Sequence, residues 1–397
     1  MNEAGRVSLF IVVGEESGDA LAAPLVRALR ETYSVELDLS GVAGPRLMAD
    51  GMESLFPIDE IAVMGLSAVL GRLPTLIKRI NQTAEAAIAT NPDAVLIVDS
   101  PDFTHRVAKR VRKRAPHIPI IGYVSPSVWA WRPGRAPAMR AYVDHLLALF
   151  PFEPAVHQRL GGPPCTYVGH RLVERLDRLR PSSGERVDLE RAERPTVLVL
   201  PGSRRGELSR LGPVFAEAVR LIEAERHCTY ILPAVDRLYD EIFDAVSAWP
   251  VKPKVVRGEE AKEAAFRTAH AALAASGTVS LELALARVPM VIAYKLDWFY
   301  RNGRKLNKYV KVAKYDSIVL PNIIIGRQPI PEFIDEDATA QRLASEVSKL
   351  LSMTAERTDQ LEAFDELDRL MTPQGGVAPS VRAAQVVLSV LAGSQTV

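Results

Sequence analysis

The chain has 397 residues, of which 48% are hydrophobic and 24% charged, a composition typical of a globular protein long enough for two domains. Lys and Arg total 49 against 48 Asp and Glu, so the overall charge does not favour a nucleic-acid partner. Two distant cysteines and seven scattered histidines lack disulfide or zinc-site spacing, and we expect neither a metal nor a cofactor. The absence of a signal-peptide pattern and of an apolar run near ~20 residues predicts a cytoplasmic protein, soluble or peripherally bound to a membrane.

Short apolar segments rich in β-branched residues alternate with helical patterns along the chain. They cover residues 8–13, 94–98, 118–124, 196–200 and 290–293. This alternation predicts an α/β protein built from parallel βα units. A polar stretch at 177–195 is predicted to link two Rossmann-like domains, 1–176 and 196–376, whose parallel sheets face an interdomain cleft. The apolar stripe of the last helix, within 377–397, must pack on a domain, and we assign this helix to the first.

The segment 14–19, with the sequence GEESGD, follows the first predicted strand directly and opens a helix. This is where a doubly wound fold places its ligand-facing loop. Because its acidic side chains would repel a phosphate, we predict that Glu15, Ser17 and Gly18 shape the pocket of an acceptor substrate. Turn geometry is the alternative, with Asp19 as a helix N-cap.

An apolar helical stripe with a cationic edge covers residues 63–80. Core packing is the commoner explanation of such a stripe, but its low polarity and its cations also suit docking on an anionic bilayer. We predict the membrane-facing residues to be Met64, Leu66, Val69, Leu70, Leu73 and Ile77. Ile80 continues the same predicted face.

Two carboxylates stand at the carboxyl end of the predicted strand 94–98, where α/β enzymes place reactive side chains. Asp99 or Asp102 is therefore a candidate general base for a sugar hydroxyl. The structural alternative is that Asp102 caps the next helix while Asp99 binds backbone amides. We favour Asp99 as the base.

The segment 123–132 places two tryptophans, two prolines and an arginine after a strand. Ser125, Trp129 and Arg132 are predicted to line the acceptor side, because aromatic faces pack on sugars or acyl chains and arginine binds phosphate. A tryptophan-anchored satellite core is an equal alternative. His170, near the end of the first domain, either binds substrate or satisfies a backbone carbonyl.

The segment 200–207, LPGSRRGE, forms the predicted turn between a strand and the helix that follows it. Its turn presents backbone N–H groups, its helix N-terminus carries partial positive charge, and Arg204 can donate to phosphate oxygens. We predict a diphosphate site formed by Gly202, Ser203, Arg204 and Glu207. An ordinary turn with solvated arginines is the alternative.

A second helix start of this kind follows at 276–282. Ser276, Gly277 and Thr278 present N–H groups and hydroxyls, and Glu282 can accept both ribose hydroxyls, which together favour a nucleotide. Asn322 either completes that site or supports a turn.

The chain resembles the lipid-A-disaccharide synthase family over most of its length. The resemblance rests on an ordered series of motifs: GEESGD (14–19), GVAGPRLMADGM (41–52), AVMG (62–65), DSPDF (99–103), YVSPSVWAWR (123–132), VGH (168–170), LPGSRRGE (200–207), SGTVSLE (276–282), PMVIAYK (289–295) and LPN (320–322).

The resemblance implies a GT-B fold, no metal, and peripheral association with the inner membrane. It also implies that diacylglucosamine is transferred from UDP-2,3-diacylglucosamine to the 6-hydroxyl of 2,3-diacylglucosamine 1-phosphate (lipid X), forming a β-1,6-linked disaccharide and UDP. Read with the residues, it predicts that Asp99, with Asp102 as helper, deprotonates the acceptor while Arg204 stabilises the departing UDP. A UDP-sugar epimerase and a noncatalytic nucleotide-sugar sensor are the alternatives, and the sequence leaves a homodimer open.

Overall fold

The computed structural model of the protein describes residues 6–61, 66–295 and 317–394. The chain divides into two compact units, Met1–Arg171 with Thr372–Val397 and Leu172–Met371. The last helix therefore belongs to the first unit. The stretch 177–195 belongs to the second, where the Arg186 guanidinium donates to the backbone carbonyls of Phe266, Arg267, Ala286 and Arg287 at 2.9–3.0 Å.

One parallel sheet organises the first unit. Its strands are β1 (Arg6–Val13), β2 (Glu36–Val42), β3 (Ala94–Val98), β4 (Ile120–Tyr123), β5 (His145–Ala148) and β6 (Cys165–Tyr167), in the order β2-β1-β3-β4-β5-β6. All of β3 is buried, as expected for a central strand with helices on both faces. Val13 pairs with Val98, so the loops that follow β1 and β3 begin side by side.

The second unit repeats this architecture. Its strands are β7 (Thr196–Leu200), β8 (Thr229–Ala234), β9 (Lys254–Arg257), β10 (Ala271–Ala275), β11 (Met290–Tyr294) and β12 (Glu332–Ile334), in the order β12-β11-β10-β7-β8-β9. Leu200 pairs with Ala274, which aligns the loops after β7 and β10. The two parallel sheets confirm the predicted α/β class.

Helices connect the strands in both units. They are α1 (Glu16–Glu31), α2 (Pro45–Ala49), α3 (Leu66–Thr90), α4 (Pro101–Arg114), α5 (Arg135–Met139), α6 (Glu153–Leu160), α7 (Leu176–Leu179), α8 (Arg205–Glu225), α9 (Tyr239–Ser247), α10 (Glu259–Thr268), α11 (Val279–Leu285), α12 (Leu320–Ile325), α13 (Ala340–Leu350), α14 (Ala355–Met371) and α15 (Pro379–Ser394). Short 3₁₀ segments lie at Ile58–Glu60, Arg171–Arg175, Asp236–Leu238, Asp335–Asp337 and Gln374–Gly376.

The C-terminal helix is part of the core of the first unit. Ala383, Ala384 and Val387 of α15 are fully or almost fully buried in the cluster that surrounds the first sheet. The Arg382 guanidinium donates to the carbonyl of Tyr167 at 3.1 Å, next to the end of β6. Burial of this apolar stripe holds the chain terminus on the first unit although more than 200 residues separate it from β6 in sequence.

Because the strands are parallel, the carboxyl ends of all strands in a sheet lie at the same edge of that sheet. In the first unit this edge carries the loops after β1, β3 and β4; in the second it carries the loops after β7, β8 and β10. Open α/β sheets bind ligands at this carboxyl edge. Among the helices that the structure describes, none is long and apolar enough to cross a bilayer.

Candidate active site

The second unit has a cavity of about 440 Å³ at the carboxyl edge of its sheet. It brings together most of the residues predicted to bind UDP-sugar, from two loops that are 70 residues apart in sequence. These residues are Gly202, Ser203, Arg204, Glu207, Ser276, Gly277, Thr278 and Glu282. Its volume lies within the range of small-molecule sites.

The turn after β7 is closed by the carboxylate of Glu207. Gly202 has φ +119°, and a side chain there would collide with Glu207, so glycine is required. The Glu207 carboxylate accepts the Ser203 backbone N–H at 2.9 Å and Arg204 Nη1 at 2.8 Å. Backbone N–H groups at a helix start and guanidinium groups both bind phosphate, and here an internal carboxylate engages one of each.

Glu282 lies in an ion pair that the sequence did not indicate. Its Oε2 is 2.8 Å from Lys262 Nζ, and only 15% of the Glu282 side chain is exposed. Lys262 lies on α10 and also lines the cavity, as does Glu259, whose Oε1 is 3.8 Å from the same ammonium. No residue spacing predicts the Lys262 contact, because α10 and α11 precede and follow β10 and their side chains meet only in the folded unit.

Asn322 stands apart from this cavity. It is 2% exposed, its Nδ2 donates to the Ile330 carbonyl at 2.9 Å, and its Oδ1 accepts the Ile330 N–H at 3.2 Å. Both ends of its amide are thus used on the backbone that follows α12. This is the turn-supporting alternative considered for Asn322.

Asp99 occupies the carboxyl edge of the first sheet and is half-buried. Its Oδ2 accepts the Ser17 hydroxyl at 2.9 Å, and its Oδ1 accepts the Ser100 N–H at 2.8 Å. Asp99 and Ser100 both have positive φ, +54° and +41°. Non-glycine residues in this region carry backbone strain, which is frequent at functional sites.

The loops after β1 and β3 are packed tightly around Asp99. A Cβ on Gly14 would collide with the Ser100 side chain, and one on Gly18 would lie 3.1 Å from the carbonyl of Val98. Glu15 is the N-cap residue of α1, and its carbonyl accepts the Gly18 N–H at 3.0 Å. The predicted acceptor loop and the predicted base therefore form one cluster, in which Ser17 fixes the orientation of Asp99.

Asp102 has a different environment. It lies in the first turn of α4, and 88% of its side chain is exposed. Its Oδ1 is 3.5 Å from Arg135 Nη2, a long contact. A carboxylate this solvated is weakly oriented, so the geometry favours Asp99 as the base.

Asp19 has a structural role that the sequence predicted only in part. It is 1% exposed and accepts the backbone N–H groups of Gly44, Arg46 and Leu47 at 2.8–3.1 Å. These groups belong to the start of α2, so Asp19 caps a helix distant in sequence rather than its own. It fixes the motif at 41–52 against α1.

The segment after β4 is anchored by buried polar groups. Ser125 is 5% exposed and its Oγ lies 2.7 Å from Nε2 of His157. Burial lowers the pKa of His157 to about 4, so the ring is neutral at pH 7. Val124, which precedes Ser125, has φ +81°, a strained value for a β-branched residue.

Aromatic side chains form a satellite cluster under this segment. Trp129 packs edge-on against Phe152 with ring centroids 5.4 Å apart, and Phe150 stacks on His170 at 5.7 Å. Burial, aided by Arg171, lowers the pKa of His170 to about 4. Trp129 thus takes part in the packing alternative, and His170 has an aromatic contact that neither of its predicted roles included. Arg132 is exposed, and its guanidinium lies 4.2 Å from the ring centroid of Trp131.

Glu153 is a buried carboxyl group that binds the backbone beside the aromatic cluster. It is 2% exposed, and its Oε2 accepts the N–H groups of Leu149 and Phe150 at 3.1 and 3.0 Å. Burial raises its pKa to about 8, although those N–H groups and a hydrogen bond with Trp129 lower it. No sequence signal singled out Glu153, because the pattern of an ordinary helix start does not reveal burial.

The apolar stripe predicted to face the membrane contains both exposed and buried side chains. Leu73 and Ile77 on α3 are 38% and 43% exposed, as a membrane-facing surface requires. Ile80 is only 2% exposed and packs in the core, which is the core-packing alternative considered for this stripe. The side chains of Leu66, Val69 and Leu70 lie outside the described residues, as does Met64. Over the described residues, no group of His, Cys, Asp or Glu is placed to hold a metal ion.

Solved structures with this fold have low sequence similarity and include both epimerases and glycosyltransferases. A UDP-N-acetylglucosamine 2-epimerase of Listeria monocytogenes has a TM-score of 0.62 at 16% identity, covering 97% of this chain and 96% of that one. MurG of Acinetobacter baumannii has a TM-score of 0.58 at 15% identity, covering 98% of this chain and 99% of that one. The calicheamicin glycosyltransferase CalG4 has a TM-score of 0.59 at 15% identity, covering 98% of each chain. Two six-stranded parallel sheets with this likeness define the GT-B fold.

Sequence comparison gives the family. A model described as Lipid-A-disaccharide synthetase matches residues 9–375. Lipid-A-disaccharide synthases from Nitrobacter winogradskyi and Rhodopseudomonas palustris are 48% and 49% identical over 392 and 388 residues, covering 98% and 96% of this chain and 96% of each relative. The chain belongs to the lipid-A-disaccharide synthase family and is a glycosyltransferase of lipid A biosynthesis, which confirms the resemblance predicted from its motifs.

Proposed function

We propose that this glycosyltransferase moves diacylglucosamine from UDP-2,3-diacylglucosamine to the 6-hydroxyl of 2,3-diacylglucosamine 1-phosphate. The bond between the acceptor oxygen and the anomeric carbon forms as the bond from that carbon to the UDP oxygen breaks. The hydroxyl proton passes to a base on the protein. A single displacement of this kind inverts the anomeric centre and gives a β-1,6-linked disaccharide and UDP.

The 440 Å³ cavity of the second unit carries the donor part of the proposal. In one concave site it combines the N–H of Ser203 and the guanidinium of Arg204, which suit a diphosphate, with the carboxylate of Glu282, which suits ribose hydroxyls. In the structure, the Glu207 carboxylate accepts hydrogen bonds from both the Ser203 N–H and the Arg204 guanidinium. We propose that the diphosphate replaces the Glu207 carboxylate as their partner when UDP-sugar binds.

Arg204 also supplies positive charge to the leaving group. The guanidinium and the N-terminus of the 21-residue helix α8 stabilise the charge that develops on UDP as the glycosidic bond breaks. In this mechanism a divalent cation is not needed, and turnover is expected to be unchanged by EDTA. Loss of turnover in EDTA that returns with Mg²⁺ would contradict this part of the proposal.

On the acceptor side, Asp99 is the proposed base. Ser17 and the Ser100 N–H orient its two oxygens, and a carboxylate has further acceptor positions for the substrate hydroxyl. Removing a general base lowers the rate typically 10²–10⁴-fold. We therefore expect Asp99→Asn to retain UDP affinity while losing a rate factor in that range, and Asp102→Asn to lose less than about tenfold.

The direct test uses purified protein, UDP-2,3-diacylglucosamine and lipid X in detergent micelles, with product scored by mass spectrometry. Disaccharide 1-phosphate and UDP in equal amounts are expected, and Asp99→Asn is the matched inactive control. Free diacylglucosamine without disaccharide, or an epimerised donor, would overturn the proposal. Digestion with linkage-specific glycosidases checks the β-configuration.

We further propose that the enzyme binds peripherally to the anionic inner-membrane surface through α3. Leu73 and Ile77, one turn apart, offer an exposed apolar pair from which the acyl chains of both substrates are reached in the bilayer. Replacing both with Gln is expected to weaken co-sedimentation with vesicles of anionic phospholipid about tenfold. Met353→Gln, at an exposed apolar residue of the second unit, is the control. Equal binding by both variants would refute this role.

A further inference from the structure

A second cavity, of about 140 Å³, lies in the first unit beside the start of α4. It lies between α4 and α5 and is closed on one side by Pro126 of the loop after β4. Three cationic side chains line it, Arg106, Lys109 and Arg135, against one carboxylate, Asp102. The cavity is therefore concave and carries excess positive charge.

The single carboxylate neutralises little of this charge. Asp102 is largely solvated and contacts Arg135 only at 3.5 Å. Lys109 Nζ lies 4.9 Å from the ring centroid of Tyr142, a contact that leaves its N–H donors available to an anion. Low-dielectric walls around unbalanced cations concentrate the positive potential.

A neutral polar floor completes the cavity. His105 Nδ1 lies 3.0 Å from the Tyr142 hydroxyl, and both residues line the site. Burial first, and then the charges of Arg135 and Lys109, lower the pKa of His105 to about 4. At neutral pH the imidazole is therefore uncharged and adds a hydrogen-bonding group without a further cation.

We propose that this cavity binds the anomeric phosphate of the acceptor, a phosphate monoester held by Arg135, Lys109 and Arg106. This inference rests on the proposed function and adds the subsite that recognises the acceptor headgroup. A volume of 140 Å³ accommodates several water-sized groups, enough for a phosphate but not for an acylated sugar. Arginine binds phosphate through paired N–H donors and lysine binds it as a point charge, so both kinds of side chain suit this ligand.

The position of the cavity agrees with the proposed chemistry. Pro101 and Asp102, which line it, begin α4, and only Ser100 separates this helix from Asp99. In glucosamine the anomeric carbon and C5, which carries the 6-hydroxymethyl group, both adjoin the ring oxygen, so the phosphate and the 6-hydroxyl lie on neighbouring parts of the ring. A phosphate held in the cavity therefore keeps the 6-hydroxyl close to the start of α4, on the side of Asp99.

The test compares lipid X with the same diacylglucosamine lacking the phosphate, for wild type, Lys109→Met and Arg135→Met. Each variant is expected to lose at least about tenfold in kcat/KM for lipid X, the worth of one charged hydrogen bond. For the phosphate-free acceptor, already slow with wild type, the same variants are expected to change kcat/KM less than twofold. KM for the UDP-sugar is expected to stay within twofold.

Lys113→Met is the matched control, because Lys113 is exposed one turn further along α4 and outside the cavity. It removes the same charge and is expected to act like wild type. Equal losses with both acceptors, or no loss with lipid X, would overturn the subsite while leaving the proposed function intact. Losses that require anionic vesicles and ignore the acceptor phosphate would assign the cavity to a lipid headgroup instead. Wild-type protein that makes no disaccharide would overturn the proposed function itself.

Discussion

Replacing Glu282 by Gln tests whether the cavity of the second unit recognises a ribose. If the Glu282 carboxylate accepts the 2′- and 3′-hydroxyls of UDP, the enzyme distinguishes UDP from 2′-deoxy-UDP. Gln keeps the size of the side chain and one acceptor oxygen but removes the negative charge. The discrimination between the two nucleotides is therefore expected to fall.

The magnitude follows from the contacts of Glu282. A hydrogen bond to a charged group contributes about 1.5–3 kcal/mol, and the 2′-hydroxyl makes one such bond. Lys262 already engages one carboxylate oxygen at 2.8 Å, which favours the lower end of the range. Wild-type protein should bind UDP more tightly than 2′-deoxy-UDP by roughly tenfold or slightly more, and Glu282→Gln should reduce this ratio to about threefold or less.

The ratio is the preferred readout because the substitution also changes the charge near the diphosphate. Lys262 loses its partner in Glu282→Gln and attracts both nucleotides more strongly, an effect that cancels in the ratio. Titration calorimetry with each nucleotide measures it. Glu259→Gln is the control, since Glu259 lines the same cavity near Lys262 but is 64% exposed. An undiminished ratio in Glu282→Gln would refute the ribose contact.

Three further predictions concern the leaving group, the folding of the first unit and its pH dependence. Arg204→Ala should lower kcat about 10²–10³-fold with an unchanged thermal melt, and near-wild-type turnover would remove Arg204 from the mechanism. Asp19→Ala leaves three backbone N–H groups at the start of α2 without their acceptor and should destabilise the protein by about 3 kcal/mol in urea unfolding, whereas a change under 1 kcal/mol would contradict the cap. Glu153 has a pKa raised to about 8, so the native state keeps a proton that the unfolded chain releases above its own pKa of about 4.3. Stability should therefore fall as pH rises from about 5 to 8, by a few kcal/mol, and the slope should flatten in Glu153→Gln; an equal slope in both proteins would refute this origin.

The pattern of apolar runs predicted β1, β3, β4, β7 and β11, and it missed the interior strands β5, β8 and β10 as well as the edge strands of both sheets. β1, β3, β7 and β11 contain the predicted segments, because a strand buried on both faces must be apolar along its whole length. β2 and β9 were not predicted, since edge strands keep polar residues such as Glu36 and Lys254 on an exposed side. Turn chemistry likewise located the loops after β1, β3, β7 and β10, which carry most of the candidate site.

The sequence did not predict which side chains contact the site residues. Glu282 with Lys262, Asp99 with Ser17, and Asp19 with α2 join residues that only the sheet order brings together. Likewise, Ile80 and Leu73 share one apolar stripe, and burial against the first sheet separated core from surface.

The sequence by itself determined the α/β class, the family and the loops that bear the chemistry, because hydrophobic period and glycine-rich turns are local properties of the chain. The tertiary structure alone decided which charges neighbour one another. It engaged Arg204 with Glu207, gathered Arg106, Lys109 and Arg135 around one cavity, and buried Glu153. The physical reason is that electrostatic energy depends on distance and solvent exposure, and both are fixed by packing between segments remote in sequence.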